Sequence, residues 1–202
     1  IYALLSILIA SFLKHENSKH FIFNCTILIF LISALIIYIT PLESESNIKS
    51  IFIRDNFSKF FQVLILLSVS CLLFMSKKYL EKNDLFKFEY PILILFSTLG
   101  MMIMISSKNF LLLYLGLEIQ SLSLYVISSF RRENLKSTEA GLKYFILGSL
   151  SSGLMLFGIS LIYGSTGSIN FELISSLITS KGFYPGIIAG LVFLISGFAF
   201  KA

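Results

Sequence analysis

Long apolar runs separated by short charged stretches dominate the chain. Seven such runs cover residues 1–13, 21–40, 57–74, 88–106, 110–130, 141–163 and 185–201. A helix needs roughly 20 residues to cross a hydrocarbon core of about 30 Å, and most of the runs are close to that length. The pattern predicts an all-α fold, a polytopic membrane helix bundle of about seven transmembrane segments.

The composition supports this interpretation. Hydrophobic residues make up 56% of the 202 positions and charged residues only 13%, which is unlike a soluble domain of this size. Helices satisfy their own backbone polar groups in lipid. The sequence does not show the short alternating segments that are typical of a membrane barrel.

The first run starts at Ile1, without an initiator methionine, and it is short for a full span. An unusual start codon, processing and a fragment all remain open as explanations. We do not expect a secretory signal, because the run has no basic residues before it and no small-residue cleavage site after it.

Basic residues between the runs predict the orientation. Nine follow the first, third and fifth runs, namely Lys14, Lys19, Lys77, Lys78, Lys82, Lys87, Arg131, Arg132 and Lys136. Five follow the second, fourth and sixth runs, namely Lys49, Arg54, Lys59, Lys108 and Lys181. The excess predicts that the odd-numbered loops face the cytoplasm or matrix and that the N-terminus faces the other side.

Cysteine and histidine do not indicate a metal site. Cys25 and Cys71 lie inside apolar runs without a CxxC motif, which is typical of small core residues. His15 and His20 fall between the first two runs, where a solvated loop is favoured over a metal site. The sequence also shows no phosphate-binding loop, no nucleophile motif and no dinucleotide fingerprint.

An acidic residue interrupts the fifth run. Glu118 lies about 12 Å along a helix from Phe110, so its short side chain cannot reach an interface. Tyr114, Ser121 and Tyr125 are spaced to share one helical face with it. Ionisable residues inside membrane spans often mark ion or proton paths. A protonated structural glutamate is the alternative.

Two lysines are candidate partners for this carboxyl group. Lys143 follows Glu139 by four residues, a favourable order for a helical ion pair, and Ser137 is a candidate helix cap. Snorkelling to the interface is the alternative role for Lys143. Lys201 lies about 24 Å along a helix from Pro185, either deep in the bundle or at the far interface.

Small residues and a weaker amphipathic stretch complete the pattern. Gly148 pairs with Ser152 and Ser149 with Gly153 at helical spacing, and such pairs let membrane helices approach closely. They predict a compact bundle around the charged positions. Residues 170–180 are predicted to form a short amphipathic helix at the membrane surface.

The second half of the chain resembles a known family. The stretch NFLLLYLGLEIQSLSLYVIS, the stretch STEAGLKYFILGSLSSGLMLFGISLIYGSTG and the ending GFAFKA carry the likeness. They resemble the antiporter-like membrane subunits of NADH:ubiquinone oxidoreductase, respiratory complex I, and STEAGLKY favours subunit 2. The resemblance is strong over roughly the second half of the chain and weak before Phe88.

The resemblance implies a proton-translocating subunit that couples quinone reduction in partner subunits to pumping. It implies one membrane domain, 1–202, in which 1–87 are peripheral helices and 88–202 begin the proton-channel repeat. It assigns proton translocation to Glu118, Lys143 and Lys201. Glu118 and Lys201 would form a coupled pair, to which Lys143 relays protons. A non-pumping structural module of the complex and part of a cation/proton antiporter are the alternatives.

Partners and location also follow from the resemblance. The family continues past its lysine into a second, inverted helix set, so we expect either a fragment or a separate chain that supplies that half. Other membrane subunits and lipids are expected partners, and nucleic acid is not. We expect redox cofactors only in partner subunits, because the chain lacks haem or iron–sulfur ligand patterns. The absence of tryptophan and the abundance of Phe, Ile, Lys, Asn and Ser favour an organellar gene and the mitochondrial inner membrane, with a bacterial plasma membrane as alternative.

Overall fold

Helices account for most of the described chain. The computed structural model describes residues 2, 6, 15–41, 52–83, 85–182 and 184–201. Within them lie α1 (His15–Ile39), α2 (Asn56–Lys82), α3 (Glu89–Ile105), α4 (Phe110–Ser128), α5 (Leu135–Thr166), α6 (Phe171–Lys181) and α7 (Pro185–Lys201). The described part contains isolated backbone bridges but no strand, so the all-α prediction is confirmed.

Six of the seven predicted runs correspond to helices, and the first, residues 1–13, lies almost wholly outside the described residues. Within the part of the chain that the structure describes, four helices are long and apolar enough to cross a bilayer, namely Lys19–Ile39, Asn56–Lys82, Phe110–Ser128 and Leu135–Thr166. Helices α3 and α7 have 17 residues each and are therefore about 26 Å long. The helix predicted for residues 170–180 is found as α6, which joins the end of α5 to the start of α7. Its position at the membrane surface stays a prediction.

Contacts between loops show the alternation of the chain across the bundle. Arg131 donates a hydrogen bond to the Asn83 carbonyl at 3.2 Å, so the α2–α3 and α4–α5 loops lie at one end. The Phe110 amide donates to the Ile169 carbonyl at 3.1 Å, which places the α3–α4 and α5–α6 loops at the other end. This alternation agrees with the predicted topology, while the assignment of each end to a membrane side stays a prediction.

Asparagine caps define where three helices begin. The side chains of Asn109, Asn134 and Asn170 accept hydrogen bonds from backbone amides in the first turns of α4, α5 and α6. These caps satisfy amides that have no partner inside the helix. The prediction that Ser137 caps α5 is wrong, because Asn134 lies in that position. Ser137 instead donates to the Ser128 carbonyl at 2.9 Å and links α5 to the end of α4.

Two helix pairs pack backbone against backbone through glycine. In the α3–α4 pair, a Cβ atom added at Gly100 would lie 2.5 Å from the Gly116 carbonyl oxygen. In the α5–α7 pair, one added at Gly158 would lie 2.6 Å from the Gly190 carbonyl oxygen. Close approach of this kind supplies the dispersion contacts that hold helices together in lipid. Helices α4 and α5 bring the two pairs together.

Buried apolar side chains form two clusters, one among the first three helices and one among the last three. One cluster joins α1, α2 and α3 through Phe23, Phe30, Leu66, Leu73 and Ile92. The other joins α5, α6 and α7 through Ile159, Ile162, Ile174 and Leu194. Large apolar side chains also cover the outer faces of the long helices, as expected for surfaces that meet lipid or other membrane helices.

Candidate functional site

An ion pair joins α4 to α7 inside the bundle. The Nζ atom of Lys201 lies 2.7 Å from Oε1 of Glu118, and the two side chains are 10% and 22% exposed. The residues are 83 positions apart in sequence. Because an isolated charge within a membrane is costly, each side chain stabilises the charged form of the other.

A serine of α5 completes this group. The Ser152 hydroxyl donates a hydrogen bond to Oε1 of Glu118 and accepts one from Nζ of Lys201 at 3.1 Å. Three helices therefore contribute one polar side chain each. The spacing of α5 predicts Ser152 only as a small packing residue. A hydroxyl group one turn after Gly148, on the face of α5 that packs against α4, is the sequence feature that indicates its bonding to the ion pair.

The helical face predicted for α4 is turned toward α5. Tyr125, near the end of that face, is buried, and its ring centroid lies 4.7 Å from that of Tyr144. A Cβ atom added at Gly148 would lie 1.8 Å from the Tyr125 hydroxyl oxygen. Gly148 thus lets α4 approach α5, and Ser152 lies one turn further along the same contact. The predicted grouping on α4 is confirmed for Glu118 and Tyr125.

A second close contact joins α5 to α7 near Lys201. The Ser151 hydroxyl of α5 donates to the carbonyl of Gly197 on α7 at 2.6 Å, one turn before Lys201. Ser152 lies about 21 Å along α5 from Thr166, so the lysine that touches it is deep in the bundle. The structure thereby decides between the two placements that the sequence left open for Lys201.

Lys143 lies outside this group. Its Nζ atom is 2.6 Å from Oε1 of Glu139, and the two side chains are 68% and 61% exposed. Lys143 is nine residues before Ser152, about 13 Å along the axis of α5. The predicted ion pair with Glu139 is confirmed. Of the three candidate residues, the structure brings together Glu118 and Lys201 and leaves Lys143 on an outer face.

The two small-residue pairs of α5 have different surroundings. Gly148 and Ser152 lie in the contact with α4, as the spacing predicts. Ser149 is exposed, and a Cβ atom added at Gly153 would meet nothing within 4 Å. The Ser149 and Gly153 pair therefore does not pack against any described helix of this chain.

Histidine and cysteine are placed differently from the predictions. His15 and His20 belong to α1 and not to a loop, since the helix begins at His15. The His20 ring lies 3.7 Å from a Glu81 carboxylate oxygen. Cys25 is half-buried but Cys71 is exposed, so Cys71 is not a core residue. Among the described residues, no group of three or more His, Cys, Asp or Glu side chains is arranged to hold a metal ion.

Comparison with known sequences places this arrangement among membrane proteins. Residues 107–202 match the family model described as NADH:quinone oxidoreductase/Mrp antiporter, TM. NADH-quinone oxidoreductase subunit N of Paramagnetospirillum magneticum is 43% identical over 203 residues, covering 96% of this chain and 41% of that protein. Subunit N of Beijerinckia indica is 51% identical over 150 residues, covering 74% of this chain and 31% of that protein. The chain spans about two fifths or less of the length of these curated relatives.

Comparison with solved structures agrees. A chain of respiratory complex I from Thermus thermophilus with bound aureothin superposes with a TM-score of 0.77 at 25% sequence identity, covering all of this chain and 42% of that one. A chain of the archaeal membrane-bound sulfane sulfur reductase gives a TM-score of 0.73 at 24% identity. The second likeness concerns the fold alone.

Proposed function

We propose, because this chain belongs to the NADH:quinone oxidoreductase/Mrp antiporter family, that it forms the first part of a proton-translocating membrane subunit of NADH:quinone oxidoreductase. The observation that carries the proposal is the buried contact between Glu118 and Lys201, supplied by two helices of the family-matched region. Ser152 touches both of them. A surface ion pair would not require three helices to meet around it.

The pair can exchange protons because its charged form depends on its geometry. With the side chains in contact, carboxylate and ammonium stabilise each other. When a movement of α4 relative to α7 separates them, each charge loses its partner in a medium of low dielectric. The lysine then releases a proton more readily and the glutamate accepts one more readily. A change of helix spacing is thereby converted into uptake or release of a proton.

Ser152 is the group through which we expect that exchange to be arranged. A hydroxyl can donate one hydrogen bond while it accepts others, and Ser152 does both here. While Glu118 and Lys201 are in contact, the Ser152 hydroxyl therefore bridges the carboxylate and the ammonium group. When they separate, it can remain bonded to one of them.

The energies involved are of a suitable size. One elementary charge crossing 100 mV corresponds to about 2.3 kcal/mol, and a tenfold change in proton affinity corresponds to about 1.36 kcal/mol. A change of about a hundredfold in proton affinity therefore matches the work of moving one proton against such a potential. Loss of a buried ionic partner is worth at least this much.

Lys143 is proposed as a relay between bulk water and the pair. Its exposed ion pair with Glu139 lies about 13 Å along α5 from Ser152, too far for direct transfer. Protons would have to pass through water between α5 and helices that cover its outer face. We also propose that residues 88–202 form the channel part and that residues 1–87 are peripheral, since the Glu118–Lys201 pair involves only α4, α5 and α7.

Redox chemistry and location are proposed from the relatives. We place electron transfer in partner subunits and the chain among other membrane subunits of the enzyme complex. The mitochondrial inner membrane remains our prediction for the location, with a bacterial plasma membrane as the alternative, and the relatives named above are bacterial. A separate chain corresponding to the remaining length of these relatives likewise stays a prediction.

Purification of the native assembly tests the proposal directly. We expect the chain to migrate with NADH-oxidising and quinone-reducing subunits, and we expect proteoliposomes containing the assembly to acidify on one side when NADH and quinone are supplied. Cation-dependent proton exchange without redox subunits would instead indicate a free-standing antiporter. If redox activity and proton transport both stay normal when Glu118 is changed, the chain is a structural module.

A further inference from the structure

A cavity lies away from the Glu118–Lys201 pair, between the start of α3 and the end of α4. It has a volume of about 460 Å³, and its wall is mainly apolar and includes Ile92, Phe96 and Val126. Val126 is about 12 Å along α4 from Glu118. The cavity, named here the α3–α4 slot, is therefore separate from the site described above.

The α3–α4 slot opens into a polar space at the end of the bundle. A neighbouring cavity of about 920 Å³ shares Lys87, Phe130 and Arg132 with it and is also lined by Arg131 and Lys136. These residues lie in the α2–α3 and α4–α5 loops, except for Lys136, which lies in the first turn of α5. Four cations against one loop carboxylate, Glu133, give this mouth a net positive charge.

Two contacts hold the mouth in place. Nζ of Lys87 lies 5.7 Å from the centroid of the Phe130 ring, within the range of a cation–π interaction. Arg131 donates a hydrogen bond to the Asn83 carbonyl at 3.2 Å. Lys87 and Arg131 thus each link the two loops above the slot, and Arg132 remains exposed beside them.

We propose that the α3–α4 slot and its basic mouth bind one anionic phospholipid. Lys87 and Arg132 would hold the phosphate, while an acyl chain would lie in the slot against Ile92, Phe96 and Val126. Basic pockets between membrane helices on the cytoplasmic or matrix side are suited to anionic headgroups. The predicted orientation places this end of the bundle on that side.

The size of the α3–α4 slot favours a lipid chain over a protein helix. A helix about 10 Å in diameter occupies roughly 400 Å³ in a single turn. The whole slot is about the size of one helical turn, so it can enclose only a small part of a helix that crosses the membrane. A flexible acyl chain fits the same volume without displacing α3 or α4.

Glu89 indicates which headgroup fits best. Its Oε2 atom is buried and has no hydrogen-bond partner among the described residues, and the residue lines the slot just below the mouth. A carboxyl oxygen repels a phosphate, which keeps the phosphate outside, beside Lys87 and Arg132. It can accept a hydrogen bond from a hydroxyl. Phosphatidylglycerol, an anionic lipid with headgroup hydroxyls, is therefore the probe of choice.

The test uses the purified native assembly in phosphatidylcholine vesicles that contain a photoactivatable phosphatidylglycerol with the reactive group in its acyl chain. We expect covalent labelling of peptides that contain Phe96 and Val126, at lipid fractions where the matching phosphatidylcholine probe labels them weakly. Removing two basic groups near a headgroup lowers affinity by about 30-fold. Lys87→Gln combined with Arg132→Gln should therefore require about 30-fold more probe for half-maximal labelling.

Matched variants separate this proposal from general surface charge. Arg54→Gln with Lys59→Gln removes two basic groups at the opposite end of α2 and should leave the labelling unchanged. Val126→Trp fills the slot and should abolish labelling while the basic mouth is kept, which covers the case in which the Lys87 and Arg132 double variant does not assemble.

Three outcomes would overturn the proposal. Equal labelling by the phosphatidylglycerol and phosphatidylcholine probes would show that the mouth does not select charge. Complete competition by millimolar inorganic phosphate would show a free-phosphate site. Failure of both probes to label either peptide in the wild-type assembly, as when a neighbouring subunit covers the slot, would show that no lipid binds there.

Discussion

Two carboxylate–ammonium pairs in this chain have nearly the same length but very different surroundings. Glu118 and Lys201 are 2.7 Å apart in the interior of the bundle, and Glu139 and Lys143 are 2.6 Å apart on an outer face of α5. An exposed helical pair contributes about 0.3–0.5 kcal/mol, whereas breaking a buried pair costs about 3–5 kcal/mol. Distance alone therefore does not separate the pair proposed to exchange protons from the surface pair, whereas burial does.

The two pairs also form in different ways. Glu139 and Lys143 are four residues apart, so the helix alone brings them together. Glu118 and Lys201 meet only after α4, α5 and α7 have packed through Gly148 and Gly197. The interior pair consequently depends on helix spacing, as a proton-coupled switch requires, and the outer pair does not.

The largest difference is expected when the lysines are removed. Lys201→Met leaves the Glu118 carboxylate buried without its partner, and we expect a loss of about 3–5 kcal/mol in stability. Lys143→Met should cost less than about 0.5 kcal/mol. Thermal unfolding of the purified assemblies measures both. The double variant Glu118→Gln with Lys201→Met should recover part of the loss, and equal effects of the two lysine variants would remove the contrast.

Ser152 should be more sensitive than its neighbour Ser151. Ser152→Ala removes a hydroxyl bonded to charged groups, worth about 1.5–3 kcal/mol, whereas Ser151→Ala removes a neutral bond worth about 0.5–1.5 kcal/mol. Proton transport by assembled complexes is the more specific readout. We expect Ser152→Ala to lower it, Ser152→Thr to restore it and Ser151→Ala to leave it near normal. Equal transport in the two alanine variants would assign Ser152 to packing alone.

Helix spacing around the interior pair can be changed without touching its charges. Gly148→Ala places a methyl group against Tyr125, and overpacking of this kind costs about 1–3 kcal/mol. We expect it to push α4 away from α5 and to reduce proton transport. Gly153→Ala, on the open face of the same helix, is the control and should be nearly silent in thermal unfolding and in transport.

The smallest stability effect is expected at the outer pair. Glu139→Gln should change stability by less than about 0.5 kcal/mol, and the change should disappear at high salt. If Lys143 is a relay, Lys143→Gln should slow proton transport even though stability is unchanged. Normal proton transport in Lys143→Gln would show that Lys143 is not a relay, and the proposed proton path would then include only the interior pair.

The contrast between local and long-range contacts also explains which features of the structure the sequence predicts. Six helical runs, the α6 helix, the shared face of Glu118 and Tyr125 on α4 and the Glu139–Lys143 pair follow from local spacing and hydropathy, and all are found in the structure. The depth of Lys201 and the role of Ser152 depend on contacts between helices far apart in sequence, which local patterns do not contain. The candidate cap Ser137 failed because Asn134, one turn earlier, accepts the same kind of bond.

Cys71 shows that hydropathy does not reveal which face of a membrane helix is buried. Cys71 lies in an apolar run, yet it is exposed, because in a membrane protein an apolar run can face lipid as readily as a core. Hydropathy thus locates a helix in the membrane without showing which of its faces is buried. Glycine contacts such as that of Gly148 with Tyr125 carry this information, and they appear only when both helices are in place.

Proton transport per electron in assembled complexes carrying Glu118→Gln tests the central claim most directly, with Lys201→Met measured beside it. The matched control is Glu172→Gln, which alters a surface carboxylate 3.5 Å from Lys108. We predict that both interior variants lower the ratio of protons to electrons or the electron transfer coupled to it, while the control remains normal. Normal stoichiometry and rate in both Glu118→Gln and Lys201→Met would contradict the account.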